Sequence, residues 1–351
     1  MVWLTRPERL WTEVWRQTSL LAWALTSVIA VSITPCAADG HELTQDIQEK
    51  ITMIPKVVFV IADGIPADVI ERVATPTLDQ IAAAGGYGRA YVGGPVGSQA
   101  ESPTVSATGY MGLLTGTWAN KHGVMENYDL SPNYAYWDIF RLAKNANPAL
   151  TTALYSTWTD NRTVLLGEGL EEAGGHKLDY VVDGFEKDKS LFPDLPESER
   201  IKRIDEKVAD AAAISIREQG PDLAWVYLQY TDDVGHDFGD SAEMDAAVEW
   251  VDEQVAKIWN AVESRQQSAR EDWLVIVTTD HGRDEATGRD HGGQTERERT
   301  TWIVTNNQRL QPAFYTKPAI VDIYPSIADH LQLDIPETVR QGLDGSSFIA
   351  R

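Results

Sequence analysis

Three apolar, strand-like runs of this sequence lead into aspartates, and histidines follow two of these acids closely. The runs are Val57 to Ala62, Leu223 to Tyr230 and Trp273 to Thr279, and they lead into Asp63, Asp232 and Asp280. The histidines are His236, His281 and His291. Because ligands bind at the carboxyl ends of parallel strands, acids more than 200 residues apart in the chain can converge there. Mixed imidazole and carboxylate ligands are typical of zinc or a related first-row metal, and these six side chains suffice for two ions.

A less specific interpretation of these residues also exists. A single aspartate at a strand end is most often a helix cap or turn residue, and histidines are common in solvated loops. We accept that interpretation for His41, His176 and His330. The group of six favours a metal site instead, because short glycine-containing turns after apolar strands place such side chains on one rim.

A candidate nucleophile lies in the segment from Ser102 to Gly116, which passes from a loop into an apolar helical pattern. Ser106 is predicted near the helix N-terminus, where free amide groups and the helix dipole favour an anionic group. A metal ion bound beside it would lower the pKa of its hydroxyl towards the alkoxide. Plain helix capping explains the same stretch, and Thr104 and Thr108 are rival hydroxyls that the local sequence leaves open.

The elements that must position these residues alternate between strands and helices. Beyond the three strand-like runs, helical patterns are predicted over 76–84, 199–218, 244–264 and 321–331. Short strands separated by longer helices are typical of a parallel sheet with crossover helices. We therefore predict an α/β fold, an α/β/α sandwich with a central, mostly parallel sheet. A stretch rich in Pro, Asp and Glu at 192–199 could border a small insertion within 128–200.

The composition is that of an ordinary globular protein, with 43% hydrophobic and 24% charged residues among 351. Its 30 basic and 53 acidic residues give a formal net charge of -23, which argues against a nucleic-acid duplex or an anionic membrane as partner. An anionic substrate would need local positive charge in this field, and bound metal ions would supply it. The expected partner is a small molecule, and the oligomeric state is left open.

The first 38 residues have the pattern of a secretory signal peptide. Arg6, Arg9 and Arg16 precede an uncharged stretch that runs to residue 38 and ends in small residues. We predict cleavage there, which leaves 39–351 as a single catalytic domain without a stable membrane span, exported to the periplasm or secreted. An uncleaved anchor and a lipid-modified Cys36 are the alternatives. Cys36 is the one cysteine, so disulfides and thiol catalysis are excluded for the remainder.

Six ordered motifs within residues 55–330 resemble those of the alkaline phosphatase superfamily, most closely its type I phosphodiesterase and nucleotide pyrophosphatase branch. Asp63 ends the first strand, Ser106 precedes a Thr-Gly pair by nine residues, and Asn127 follows Ser106 by twenty-one. The later motifs are Asp-x-x-Gly-His at 232–236, Asp-His-Gly at 280–282 and a last histidine, His291.

The resemblance implies an alkaline-phosphatase-like fold and a phosphodiesterase or nucleotide pyrophosphatase that acts on a small phosphoester or nucleotide. It implies two divalent metal ions, Zn²⁺ first, with Mn²⁺ or Mg²⁺ as alternatives. One ion would be held by Asp232, His236 and His291. The other would be held by Asp63, Asp280, His281 and the Ser106 oxygen. Ser106 would form a phosphoseryl intermediate, and Asn127 would bind a non-bridging phosphate oxygen.

Two departures from the family pattern matter. Only ten residues separate His281 from His291, where nucleotide pyrophosphatases carry a long insertion, and this spacing resembles that of phosphopentomutases. Ser106 is followed by Ala107 and Thr108, which does not match the Cys/Ser-x-Pro-x-Arg motif of sulfatases. A formylglycine sulfatase is therefore disfavoured.

Several alternatives to a diesterase stay open. A monoester carries an extra negative charge, and Arg162 is the nearest candidate to bind it, in a region that resembles one where a monoesterase branch places Lys and Arg contacts. An ordinary surface role for Arg162 fits equally well. A phosphosugar mutase is expected in the cytoplasm, which disagrees with a signal peptide. A non-catalytic, metal-binding exported protein would bind metal without hydrolysing any ester.

Overall fold

Seven strands form one mixed sheet within residues 53–350, the part of the chain that this computed structural model describes. The predicted signal peptide, Cys36 and His41 lie outside these residues. The strands are β1 Ile54–Ala62, β2 Gly86–Tyr91, β3 Thr152–Ser156, β4 Tyr180–Val182, β5 Leu223–Leu228, β6 Glu271–Thr278 and β7 Thr300–Thr305. Their order is β2-β7-β6-β1-β5-β3-β4, and of these seven strands β7 alone runs opposite to the other six. The predicted, mostly parallel sheet is confirmed.

Helices cover both faces of this sheet. They are α1 Ala67–Arg72, α2 Pro76–Ala84, α3 Ser106–Thr115, α4 Ala119–His122, α5 Ile139–Ala146, α6 Glu197–Glu218, α7 Tyr230–Phe238, α8 Ala242–Ser268, α9 Glu296–Arg299, α10 Ile323–His330 and α11 Glu337–Arg340. Helices α3, α5 and α10 pack on one face, and α2, α6 and α8 pack on the other. The predicted α/β/α sandwich is confirmed.

Strand β1 lies in the middle of the sheet, which explains why its sequence is apolar at consecutive positions. Val57, Phe59 and Ile61 belong to the core under α3, α5 and α10, and the residues between them belong to the opposite core. Burial on both faces is the usual environment of a central parallel strand. The carboxyl end of β1 therefore brings Asp63 to an edge where β5 and β6 also end.

One predicted strand end is wrong. The sequence pattern extends the second run to Tyr230 and puts Asp232 directly at a strand end, but β5 ends two residues earlier and α7 begins at Tyr230. The cause is the buried carboxylate of Asp205 in α6, which accepts hydrogen bonds from the amides of Gln229 (3.1 Å) and Tyr230 (2.8 Å). It satisfies free amides at the start of α7. Asp232 and His236 consequently lie one turn apart on one helix face.

Residues 128–200, where the sequence allows a small insertion, contribute β3 and β4 to the sheet. They also contain a single π-helical turn, Asn161–Leu165, directly after β3. Within residues 53–350, no helix combines the length and apolar character that crossing a membrane requires.

Candidate metal centre

Asp63, Asp280 and His281 meet at the carboxyl ends of β1 and β6, and we call this group the inner site. Each offers one ligand atom within 4.8 Å of the other two, and all three are buried. His281 Nε2 lies 3.4 Å from Asp63 Oδ1 and 3.3 Å from Asp280 Oδ2. Neither oxygen has a well-placed hydrogen-bond donor among the described residues. Buried carboxylate oxygens without donors are costly unless a cation is bound, so this group fits a metal ion.

Neighbouring groups orient the inner-site ligands. His281 Nδ1 donates to the carbonyl oxygen of the next residue at 2.9 Å, which directs Nε2 towards the two carboxylates. The hydroxyls of Tyr110 and Tyr227 both donate to Asp63 Oδ2, the second at 2.6 Å. A backbone amide donates to Asp280 Oδ1 at 3.1 Å. One oxygen of each carboxylate is thus held, and the other faces the histidine.

The inner site holds protons when no cation is bound. Burial raises the pKa of the Asp280 carboxyl well above its ordinary value, and the charge of Asp63 raises it further. Burial lowers the pKa of His281, but the charges of Asp280 and Asp63 outweigh this effect and raise that pKa to about 9. Because metal ligands must be deprotonated, a cation that enters this site displaces protons.

Metal binding to the apoprotein should therefore depend on pH. Because the Asp280 carboxyl and the His281 imidazolium must both lose their protons, we expect Zn²⁺ affinity at the inner site to rise with pH until at least about pH 9. Calorimetric titration of chelator-treated protein in buffers of different ionisation enthalpy measures the protons released per ion. Zinc uptake at pH 7 without proton release would contradict this protonation state.

Asp232, His236 and His291 form a second group, which we call the outer site. One ligand atom of each lies within 4.8 Å of the others, and the two imidazole Nε2 atoms are 3.2 Å apart. His291 Nδ1 donates to the Thr104 carbonyl oxygen at 3.0 Å, which leaves Nε2 to face the group. Burial, and then the charge of His281, lower the pKa of His291 to about 3. This imidazole is therefore neutral and able to bind a cation.

The two sites adjoin each other. The rings of His281 and His291 are stacked, with centroids 3.7 Å apart and planes at 13°. The residues divide between the sites in the same way as the family resemblance implies. Three carboxylates and three imidazoles are a donor set that suits zinc or a similar ion at each site.

Ser106 is the first residue of α3 and lies between the inner site and Asn127. Its Oγ is 3.3 Å from His281 Nε2 and 3.4 Å from Asn127 Nδ2. Asn127 Oδ1 accepts a hydrogen bond from the Ala107 amide at 2.8 Å, which fixes the side chain so that its amide nitrogen faces Ser106. Free amides at the start of α3 favour negative charge here. The hydroxyl thus lies beside His281 of the inner site and an amide nitrogen that could donate to a phosphate oxygen.

The rival hydroxyls are engaged elsewhere. Thr104 Oγ1 donates to the Gly293 carbonyl oxygen at 2.9 Å, and Thr108 Oγ1 donates to the Val124 carbonyl oxygen at 3.1 Å. Both threonine hydroxyls therefore bind backbone carbonyl oxygens near the two sites. Among the three candidate hydroxyls, only that of Ser106 contacts the inner site.

Arg162 is placed differently from the other predicted site residues. It lies on the π-helical turn, and its guanidinium donates to Asp183 at 2.6 Å and 3.3 Å. Within residues 53–350 we find no hydrogen bond or ion pair between Arg162 and the two sites. Its contact with substrate stays a prediction.

Sequence reasoning missed three residues that contact the candidate ligands, namely Tyr110, Tyr227 and Arg283. Tyr227 lies on β5 and Tyr110 on α3, and they reach Asp63 only because α3 packs against the sheet. Arg283 directly follows the Asp-His-Gly motif, and its guanidinium contacts Asp232. Its place beside that motif was the one signal that could have singled it out.

The fold is alkaline-phosphatase-like, and solved structures of several ester hydrolases share it. Murine ectonucleotide pyrophosphatase/phosphodiesterase 5 is 14% identical with a TM-score of 0.54, covering 80% of this chain and 96% of that chain. A phosphonate monoester hydrolase of Agrobacterium radiobacter is 15% identical with a TM-score of 0.57, covering 84% and 76%. A 2-O GAG sulfatase is 12% identical with a TM-score of 0.56, covering 84% and 73%. At such identities the likeness shows a shared fold.

The family is established by a sequence profile. The profile of the type I phosphodiesterase / nucleotide pyrophosphatase family matches residues 57–331. The chain belongs to that family, which confirms the resemblance seen in its motifs and identifies a phosphoester hydrolase. A comparison with curated protein sequences finds no match.

Proposed function

We propose that this protein is a two-metal phosphodiesterase of the nucleotide pyrophosphatase type that acts through a phosphoserine at Ser106. It would be exported to the periplasm or secreted after loss of residues 1–38, with lipidation of Cys36 as the alternative. The observation that carries the proposal is the position of Ser106 Oγ, which lies within 3.4 Å of both His281 Nε2 and Asn127 Nδ2. A single phosphoryl group could therefore contact the nucleophilic hydroxyl, the inner site and the Asn127 amide that would donate a hydrogen bond to it.

The residues of the chain have separate tasks in this mechanism. Ser106 Oγ attacks phosphorus in line as its hydroxyl proton passes to solvent, the bond from phosphorus to the leaving oxygen breaks, and the departing alkoxide takes up a proton. Water then attacks phosphorus, the bond to Ser106 Oγ breaks, and the serine hydroxyl is restored. Asn127 donates to a non-bridging oxygen, and the free amides of α3 favour charge on the serine oxygen. The inner and outer sites would each hold one divalent cation, zinc first. When bound, these cations would lower the pKa of the Ser106 hydroxyl and offset negative charge on the transferring phosphoryl group.

The charges near the centre favour a diester over a monoester. A monoester carries one more negative charge, which calls for cationic contacts beyond the metals. Arg162 is already paired with Asp183, and Arg283 is already paired with Asp232. An inactive variant of the murine relative has been solved in complex with AMP, so nucleotide diesters are the first natural substrates to test here.

The experiment compares initial rates on bis-p-nitrophenyl phosphate, p-nitrophenyl phosphate and p-nitrophenyl sulfate, for residues 39–351 with zinc supplied. We expect the diester to react at least about tenfold faster than the monoester, with loss of activity in chelator and recovery with zinc. A preference for the monoester would instead indicate an alkaline-phosphatase-like monoesterase and make Arg162→Ala the next variant. Two bound ions without any hydrolysis would favour a mutase or a metal-binding protein.

A further inference from the structure

Arg283 is a buried cation at the centre that none of the six motifs includes. Its side chain is 1% exposed. The guanidinium donates through Nε to the Gly64 carbonyl oxygen at 2.9 Å and through Nη1 to the Arg289 carbonyl oxygen at 3.0 Å. Nη2 donates to the carbonyl oxygen of Asp232 at 2.7 Å and also to its Oδ1. Every contact is made to a segment that carries a ligand.

These contacts connect three such segments. Gly64 directly follows Asp63 of the inner site, Asp232 belongs to the outer site, and Arg289 lies two residues before His291. A planar guanidinium with five donors can satisfy several carbonyl oxygens and a carboxylate in one fixed geometry, whereas an ammonium group cannot reproduce that fork. Arg283 thus holds the Asp232 carboxylate and the backbone two residues before His291.

The backbone leaves space for this guanidinium at two glycines. A Cβ atom on Gly235 would lie 2.1 Å from Arg283 Nε, and one on Gly64 would lie 2.6 Å from Nη2. Gly235 lies within α7 and does not have a positive φ, so conformational freedom is not what requires glycine there. The close approach of Arg283 explains the glycine of the Asp-x-x-Gly-His motif in this chain.

The two sites also differ in their formal charge. Among the described basic side chains, the two carboxylates of the inner site face only His281, which must be neutral to bind a cation, whereas the single carboxylate of the outer site is paired with the permanent charge of Arg283. Because Oδ1 of Asp232 is held by Arg283, Oδ2 is the oxygen that faces His236, at 3.4 Å from its Nε2. The outer site therefore attracts a divalent cation less strongly.

We propose that Arg283 is a positioning residue for the outer site, and that its charge makes the outer ion the more weakly bound of the two. The inference rests on the proposed two-metal function. Loss of a group that orients a metal ligand commonly lowers metal affinity by about 10- to 100-fold. Arg283→Lys keeps the positive charge but loses the planar set of guanidinium donors. It therefore separates the effect of the orienting hydrogen bonds from the effect of the charge.

The test is a Zn²⁺ titration of chelator-treated protein against a competing chromophoric chelator, which resolves two stepwise dissociation constants. We expect Arg283→Lys to raise the constant of the weaker step about 10- to 100-fold and to leave the tighter step within about threefold. The matched control is Arg200→Lys, because Arg200 is also buried and donates to three backbone carbonyl oxygens between residues 185 and 188. It should change neither constant.

Two further variants assign the effect to the outer site. His236→Ala should abolish the weaker step, and adding Arg283→Lys to it should not change the remaining constant. Gly235→Ala displaces the guanidinium without removing its charge, so it should reproduce the selective loss if Arg283→Lys fails to fold. If Arg283→Lys leaves both dissociation constants unchanged, or raises the constant of the tighter step, the role of Arg283 is overturned while the two-metal function still stands. Wild-type protein that binds no zinc would overturn the two-metal function as well.

Discussion

Ser106→Ala should lower the turnover of bis-p-nitrophenyl phosphate by at least about 10⁴-fold, because it removes the atom that forms the phosphoseryl bond. Ser106 Oγ has only long contacts, at 3.3 Å to His281 and 3.4 Å to Asn127, so its loss leaves the neighbours little disturbed. We therefore expect the variant to fold and to keep most of its zinc. Initial rates, thermal unfolding and the zinc-to-protein ratio measure these effects.

The matched control for this prediction is Ser102→Ala. Ser102 is buried on the same segment, and its Oγ has no hydrogen-bond partner among the described residues. Its turnover should stay within about threefold of wild type, as is usual for a change that breaks no specific contact. Near-wild-type turnover in Ser106→Ala would remove Ser106 as nucleophile. Equal losses in both variants would show that the segment, rather than the hydroxyl, is required.

Asp280→Asn should remove the inner ion and lower turnover by about 10³-fold or more, because a neutral amide replaces a charged ligand oxygen. Asparagine can keep the hydrogen bond that Asp280 Oδ1 accepts from the Gly64 amide, so the local backbone should persist. The zinc-to-protein ratio should fall from two to one. This expectation rests on the proposed metal assignment, and elemental analysis of the purified variant measures it.

The same variant should stabilise the metal-free protein at alkaline pH. Burial, and then the charge of Asp63, raise the pKa of Asp280 above its unfolded value. Its contribution to stability is therefore fully present below the ordinary aspartate pKa and is lost as pH rises through the folded pKa. Asparagine does not ionise, so metal-free Asp280→Asn should melt at a higher temperature than metal-free wild type at pH 8.

Thermal unfolding at pH 6 and pH 8, with and without zinc, shows whether the substitution raises or lowers the melting temperature. Asp237→Asn, an exposed acid on α7, is the matched control and should behave as wild type in all four conditions. A variant that retains two zinc ions would contradict the assignment of Asp280 as an inner-site ligand. A metal-free variant that melts below wild type at pH 8 would contradict the raised pKa of the buried Asp280 carboxyl.

The three adjacent strands β1, β5 and β6 could be predicted from local pattern because burial on both faces requires a continuous apolar sequence, whereas β2, β3, β4 and β7 were not predicted. Each of the runs in β1, β5 and β6 is apolar and rich in β-branched or aromatic residues, which is what a strand between two helical layers requires. The end of β5 was predicted two residues too late because Tyr230 fits a strand as well as a helix. Its helical state depends on Asp205, which is 25 residues away in sequence.

The convergence of the six acid and histidine side chains was predictable for a related reason. Motif residues lie at fixed distances from strand ends, and parallel strands bring those ends to one edge. The division into an inner and an outer site followed from the family resemblance, and the structure places the same residues in two adjoining groups. Residue types alone could not have divided them, since each site contains both acids and histidines.

By itself, the sequence determined the layered α/β architecture, the family and the six side chains suited to metal. Only the tertiary structure decided the strand order, the antiparallel direction of β7 and the residues that hold the ligands. Tyr110 meets Asp63 across 47 residues, and Arg283 meets Asp232 across 51 residues and Gly64 across 219. Periodicity and motif spacing record the local environment of each segment, whereas such contacts exist only after the segments have packed together. The residues that support this centre could therefore not be predicted from its motifs.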